Sequence, residues 1–144
     1  MTGAPRKPAR LWIAGLFAVL GTVVIWAASM SRQDAQTRAL SRRWLSDQWL
    51  VARTCLTGTG ERGASVEAIA AELEARAGEQ GWPTRCLPAL RSIRPAEQEA
   101  PGGLAAVHAL EALIPGAAGS PERARELAEP IATLDQALPR VHTQ

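Results

Sequence analysis

The stretch Leu11-Trp-Ile-Ala-Gly-Leu-Phe-Ala-Val-Leu-Gly-Thr-Val-Val-Ile-Trp-Ala-Ala-Ser-Met30 contains twenty residues and no charged side chain. As an α-helix it would rise about 1.5 Å per residue, or roughly 30 Å in total, which is the thickness of the hydrocarbon core of a bilayer. Trp12 and Trp26 lie near its two ends, and indole rings prefer the membrane–water interface. The stretch therefore predicts a transmembrane helix over residues 11–30 that anchors the chain in a lipid bilayer.

The same stretch has some features of a cleavable export signal. A signal peptide has an apolar region of about 7–15 residues, followed by small residues at the cleavage site. Ala27, Ala28 and Ser29 could form such a site. Because the apolar run is longer than that, and because the bulky Trp26 precedes the small residues, the pattern favours a retained anchor over release of a secreted protein.

The charges are distributed unevenly along the chain. Residues 1–43 carry seven Lys or Arg and one acid, a net charge of +6, whereas residues 44–144 carry nine Arg and thirteen acids, a net charge of −4. A nucleic-acid-binding domain concentrates basic residues on its folded part, and this chain has the opposite balance. We therefore expect no nucleic-acid partner. The lipid bilayer is the expected partner, and another envelope protein is a further candidate.

The direction of the span does not follow from counting its flanking charges. Three basic residues, Arg6, Lys7 and Arg10, precede it, and four arginines follow it within thirteen residues. The leading charges lie close to the apolar edge, and residues 1–10 form a short basic tail of the kind found on the cytoplasmic side. We therefore expect the N-terminus in the cytoplasm and the C-terminal domain outside it.

The composition predicts an all-α fold for the part outside the membrane. Tyr is absent and Phe17 is the only Phe, whereas Ala and Arg, which favour helices, are abundant. About 114 residues follow the span, enough for one small domain of about four to five helices. We divide them into a helical domain over residues 31–94, a linker rich in Pro, Gly and Glu over residues 95–103, and a C-terminal helix pair over residues 104–144.

Apolar spacing predicts a long helix over residues 31–57, which either continues from the membrane or restarts near Asp34. Two neighbouring stripes form its apolar face. The first stripe contains Leu40, Trp44, Val51 and Cys55, and the second contains Leu45, Trp49, Ala52 and Leu56. A face of this width predicts that both stripes pack in the core of the domain.

Capping and breaking residues predict where the later helices begin and end. Ser65 and Ser120 can each accept a hydrogen bond from an amide of the first helical turn. Ser65 should begin a helix that extends to about Gly78. Pro115 should end the helix that begins at residue 104, and Pro130 should kink or split the last helix.

The segment Thr57-Gly-Thr-Gly-Glu-Arg-Gly63 predicts a loop, because three glycines in six residues end a helix. Its glycine spacing is partly that of a phosphate-binding loop. It lacks the Gly-Lys-Ser/Thr ending and a preceding strand, so it does not predict a phosphate site.

Cys55 and Cys86 are the only cysteines. An even number of cysteines after an export-type segment predicts a disulfide, here one that links the end of one helix to the start of another. The two residues are too far apart in sequence for a Cys-x-x-Cys redox pair. If the topology were reversed, two free buried thiols would be the alternative.

The sequence shows no clustered metal ligands or catalytic residues. His108 and His142 are the only histidines, and neither has a Cys, His or acid at ligand spacing. We therefore predict no catalytic residues, no cofactor, no metal and no small-molecule ligand. The leading hypothesis is a single-pass bacterial envelope protein with a binding or scaffolding role. The alternatives are a secreted helical protein and a membrane-bound hydrolase that uses Cys or His, although no local motif indicates a Cys–His pair.

Overall fold

The computed structural model describes residues 8–93 and 100–140, and all regular structure in these ranges is helical. The α-helices are α1 (Pro8–Thr57), α2 (Val66–Arg76), α3 (Leu87–Arg91), α4 (Gly103–Ala117), α5 (Pro121–Glu126) and α6 (Ala128–Ala137), and a 3-10 turn over Thr84–Cys86 precedes α3. The predicted all-α class, with an N-terminal helix long enough to cross a membrane, is confirmed.

The chain divides into two units at a point within α1. In the first unit, Met1–Leu40, the described residues are helical from Pro8 onward, and every side chain from residue 10 to 40 is exposed. The helix passes Asp34 without a break, so residues 31–57 continue from the apolar stretch and do not restart. Most of the predicted basic tail over residues 1–10 lies outside the described residues.

In the second unit, Ser41–Gln144, the described helices share one cluster of buried apolar side chains. Helices α2 and α4 each pack against α5 and α6, and α3 packs against α4. The largest apolar members of the cluster are Trp49, Leu56, Ile69, Leu73, Trp82, Leu90, Ile93, Leu110, Ile114, Leu127 and Ile131. Helices from both sides of residues 95–103 therefore contribute to one core. The physical reason is that each side alone has too few large apolar side chains to exclude water.

The second half of the predicted linker belongs to this core. Ala100 is 1% exposed, and α4 begins at Gly103. Gly102 has a φ of 77°, a conformation that is strained for residues with a Cβ atom, so a glycine here lets the chain turn directly into α4. Residues 95–99 of the predicted linker lie outside the described residues.

Both predicted serine caps are confirmed. Ser65 Oγ accepts a hydrogen bond from the Ala68 amide at 3.2 Å, and Ser120 Oγ accepts one from the Arg123 amide at 3.4 Å. Each bond satisfies an N–H group that has no partner inside its own helix. Helix α2 ends at Arg76, slightly before the position that the sequence predicts.

The prolines Pro115 and Pro130 have different effects. Helix α4 continues past Pro115 to Ala117, so the prediction that it ends at Pro115 is wrong. Pro115 lies in the last turn, where its missing N–H removes only one hydrogen bond, and the helix ends where Gly119 adopts a φ of 73°. The last helix is split at Leu127, three residues before Pro130, as predicted.

Candidate functional site

The surface of residues 11–30 is apolar and exposed. Trp12 is 80% exposed and Trp26 is 63% exposed. The hydroxyl groups of the segment bond within the helix, since Thr22 Oγ1 donates to Ala18 O at 2.7 Å and Ser29 Oγ donates to Trp26 O at 2.8 Å. Hydrocarbon offers no hydrogen-bond partner, so a membrane helix satisfies its polar groups internally in this way.

The structure brings Cys55 and Cys86 to disulfide-bonding distance, with their Cα atoms 5.7 Å apart. Cys55 lies in the last turn of α1, and Cys86 ends the 3-10 turn before α3. Cys86 is fully buried, whereas Cys55 is partly exposed. The pair therefore joins the two helix ends that the sequence indicated, and in this arrangement each sulfur has the other as its neighbour.

Two hydrogen bonds support the same junction. Trp82, which is 1% exposed, donates its Nε1–H to Leu56 O at 2.9 Å. Arg76 Nη1 donates to Cys55 O at 2.8 Å. The last carbonyl groups of a helix have no intrahelical donor, so Trp82 and Arg76 cap the C-terminal end of α1.

Glu79 holds Arg76 in its capping position. Its Oε1 accepts from Arg76 Nε at 3.0 Å, and its Oε2 accepts from Arg76 Nη2 at 2.9 Å and from Arg85 Nη2 at 2.8 Å. The hydrogen bonds from Arg76 lower the pKa of the Glu79 carboxyl below its ordinary value of 4.5, and the charges of Arg76 and Arg85 act in the same direction.

We therefore expect the Glu79 carboxyl to stay ionised at a lower pH than a free glutamate. Because the folded pKa is below the unfolded pKa, the stabilisation by Glu79 is present above pH 4.5 and is lost as the pH falls through the folded pKa. An NMR titration of the side-chain carboxyl carbon measures this pKa. Arg76→Gln should move it towards the ordinary value by more than Arg85→Gln does. A Glu79 pKa at or above 4.5 in the unaltered chain would contradict the assignment.

A buried ionic cluster lies between α1 and α6. Arg53 is 0% exposed and Asp135 is 2% exposed. Arg53 Nε lies 3.0 Å from each carboxylate oxygen of Asp135, and Trp49 Nε1 donates to Asp135 Oδ1 at 2.8 Å. Removing an ion from water costs several kcal/mol unless it is paired and hydrogen-bonded, so Arg53 and Asp135 stabilise the core only as a pair.

Arg62 connects the loop after α1 to the same cluster. Its Nη2 donates to Asp135 O at 2.8 Å and to Leu138 O at 2.7 Å, and its Nη1 donates to Pro139 O at 3.0 Å. These carbonyls lie at the C-terminal end of α6, where the helix dipole favours a positive charge. Burial lowers the pKa of the Arg62 guanidinium, and the attraction of Asp135 opposes this effect. The group stays protonated at physiological pH. The predicted loop thus forms, and its arginine caps α6.

Sequence reasoning did not single out the Arg53–Asp135 pair, although a local signal exists. Arg53 follows Trp49 by four residues, and Asp135 follows Ile131 by four residues. Residues four apart lie on the same face of a helix, so each charge occupies a position that faces the core. A charged residue in a core-facing position needs a partner, but its identity does not follow from spacing within one helix.

The histidines are not gathered into a site. His108 is exposed on α4, and His142 lies outside the described residues. Among the residues that the structure describes, no group of three His, Cys, Asp or Glu side chains is placed to hold a metal ion.

One of the two predicted apolar stripes on α1 is not part of the core. The second stripe is buried as predicted, at Leu45, Trp49, Ala52 and Leu56. In the first stripe Leu40 is 69% exposed, Trp44 is 48% exposed and Val51 is 57% exposed, so its predicted burial is wrong. The reason is that a helix at the edge of a small domain turns only one stripe towards the core. Within the second unit, Trp44 and Val51 are left as an exposed apolar face.

The described residues thus present an exposed apolar span, a cysteine-linked junction, a buried ionic cluster and an exposed face on α1. The cluster and the junction hold helices together, and both are enclosed by the chain itself. The span and the face on α1 are available to other molecules. A comparison of the chain with protein-family models, with curated proteins and with solved structures finds no match.

Proposed function

We propose that this chain is a single-pass membrane protein that holds a small helical domain on the extracytoplasmic side, where the domain binds or scaffolds another envelope protein. The observation that carries the proposal is the exposed apolar surface of residues 11–30. Apolar surface in water costs about 25 cal/mol per Å², so twenty residues of this kind strongly favour transfer to lipid.

The continuity of α1 supports retention of the span over release by cleavage. The helix includes Ala27, Ala28 and Ser29, the small residues at which a signal peptide would be cut. A protease binds the residues around a scissile bond in extended form, and a continuous helix opposes that conformation.

The cysteine pair supports the orientation of the chain. Disulfides persist in oxidising compartments such as the bacterial periplasm, whereas cytosolic thiols are kept reduced. A domain in which Cys55 and Cys86 lie at bonding distance fits the oxidising side. The N-terminal end of the span then faces the cytoplasm.

We expect the full-length chain to remain in the membrane fraction after alkaline carbonate extraction, and Val19→Arg to move it to the soluble fraction. An arginine at the centre of a span costs about 2.5–3.5 kcal/mol on insertion scales, which corresponds to a shift on the order of 100-fold in the insertion equilibrium. Val66→Arg is the matched control, because Val66 is an exposed valine of α2 outside the span. A soluble wild-type chain that begins near Met30 would identify the secreted alternative and contradict the anchor.

The orientation has a separate test. Protease added to intact spheroplasts should digest the helical domain, and the same protease added to inside-out vesicles should leave it intact. The reverse pattern would place the domain in the cytoplasm and contradict the proposed orientation, while leaving the anchor unaffected.

A further inference from the structure

We infer that the exposed face of α1 formed by Trp44, Asp47 and Val51 binds the same face of a second copy of this chain, with the two helices parallel. The inference rests on the proposed membrane anchoring, because a shared span directs both copies into the membrane in the same orientation. We call these three residues the Trp44 face.

The Trp44 face is free because it points away from the core of its own domain. Positions 44, 47 and 51 fall within an arc of about 60° on a helix with 3.6 residues per turn. Trp49, which is fully buried, lies about 140° from Trp44 by the same rule. A second helix can therefore contact Trp44 and Val51 without displacing any buried side chain.

The spacing of the Trp44 face is that of a two-stranded coiled coil. Steps of three and four residues place Trp44 and Val51 at equivalent *a* positions of consecutive heptads and Asp47 at the *d* position between them. In a parallel pair, each *a* side chain packs into a hole formed by residues of the facing helix. Trp44 and Val51 would then be covered by the helix of the second copy.

Charge complementarity favours this arrangement. Arg43 and Asp47 are exposed, and neither has an ion-pair partner within residues 8–93 and 100–140. Arg43 and Asp47 both flank the hole that receives Trp44 of the other copy. Two arginines and two aspartates therefore surround the two-fold axis, so each carboxylate has a guanidinium nearby. A polar layer of this kind sets the register of a coiled coil at some cost in stability.

The size of the Trp44 face decides between a second copy and a soluble partner. A stable interface between soluble proteins buries about 800 Å² on each side, and three side chains over two helical turns bury less than that. Anchoring compensates for the small area, because it confines both copies to one plane and raises their effective concentration. A second anchored copy is therefore the occupant that this face fits.

The test uses the full-length chain in detergent micelles, with sedimentation equilibrium at several protein-to-detergent ratios. We expect a dimer whose dissociation constant rises at least roughly tenfold in Trp44→Ala/Val51→Ala, a loss of about 1.4 kcal/mol or more. Val66→Ala is the matched control, since it removes an equally exposed valine from α2 and should leave the dimer unchanged. Circular dichroism should show that every variant keeps its helices.

A second variant should act in the opposite direction. Asp47→Leu should strengthen the dimer, because leucine is favoured at *d* positions, whereas Glu67→Leu on the exposed side of α2 should not. A monomer at every ratio, or a dimer that none of these substitutions changes, would overturn the inference. Carbonate extraction of the same protein separates the two proposals, since a chain that is monomeric but retained in the membrane contradicts only the dimer.

Discussion

Asp135→Ala is expected to lower the free energy of unfolding of the helical domain by about 3–5 kcal/mol, the usual effect of removing one partner from a buried ion pair. The substitution leaves the guanidinium of Arg53 in the core without a counter-charge, and it removes the acceptor of the Trp49 indole N–H. Both losses fall on side chains that are 0% exposed and cannot turn to water.

Denaturant unfolding of the full-length chain in micelles, followed by near-ultraviolet circular dichroism, measures the effect of Asp135→Ala. Gln136→Ala is the matched control, because Gln136 is the next residue on α6 and is exposed. Arg53→Met/Asp135→Leu should recover most of the lost stability, since it removes both charges from the core. If Asp135→Ala were as stable as Gln136→Ala, the cluster would not stabilise the fold.

Cys55→Ala/Cys86→Ala is expected to lower the free energy of unfolding by about 3–4 kcal/mol, as chain entropy predicts for a cross-link that closes a loop of this length. The two residues are separated by 31 positions. Each single variant should lose about as much as the double variant, because the cysteines stabilise the fold as a bonded pair.

A reductant provides the control for the cysteine prediction. It should destabilise the unaltered chain by the same amount and have no effect on Cys55→Ala/Cys86→Ala. The helices should persist at low denaturant in the reduced chain, since Trp82 still donates to Leu56 O and remains in the core. Alkylation of both cysteines without prior reduction would show that no disulfide forms.

Part of the candidate site could be predicted from the sequence. Cys55 and Cys86 could be paired because they are the only two cysteines, and Ser65 and Ser120 could be predicted as caps because capping depends on a few adjacent residues. The fate of the two stripes on α1 could not be predicted in this way. Both have helical spacing, and only the position of the other helices decides which stripe is covered.

The sequence by itself determined the apolar span over residues 11–30 and the helical character of the domain. These properties depend on length, local composition and neighbouring side chains, all of which can be evaluated along a single segment. Only the tertiary structure decided that residues on both sides of 95–103 share one core and that Arg53 meets Asp135 across 82 positions. A buried charge requires a partner, but which distant residue supplies it depends on how the helices pack, and that packing is a property of the whole domain.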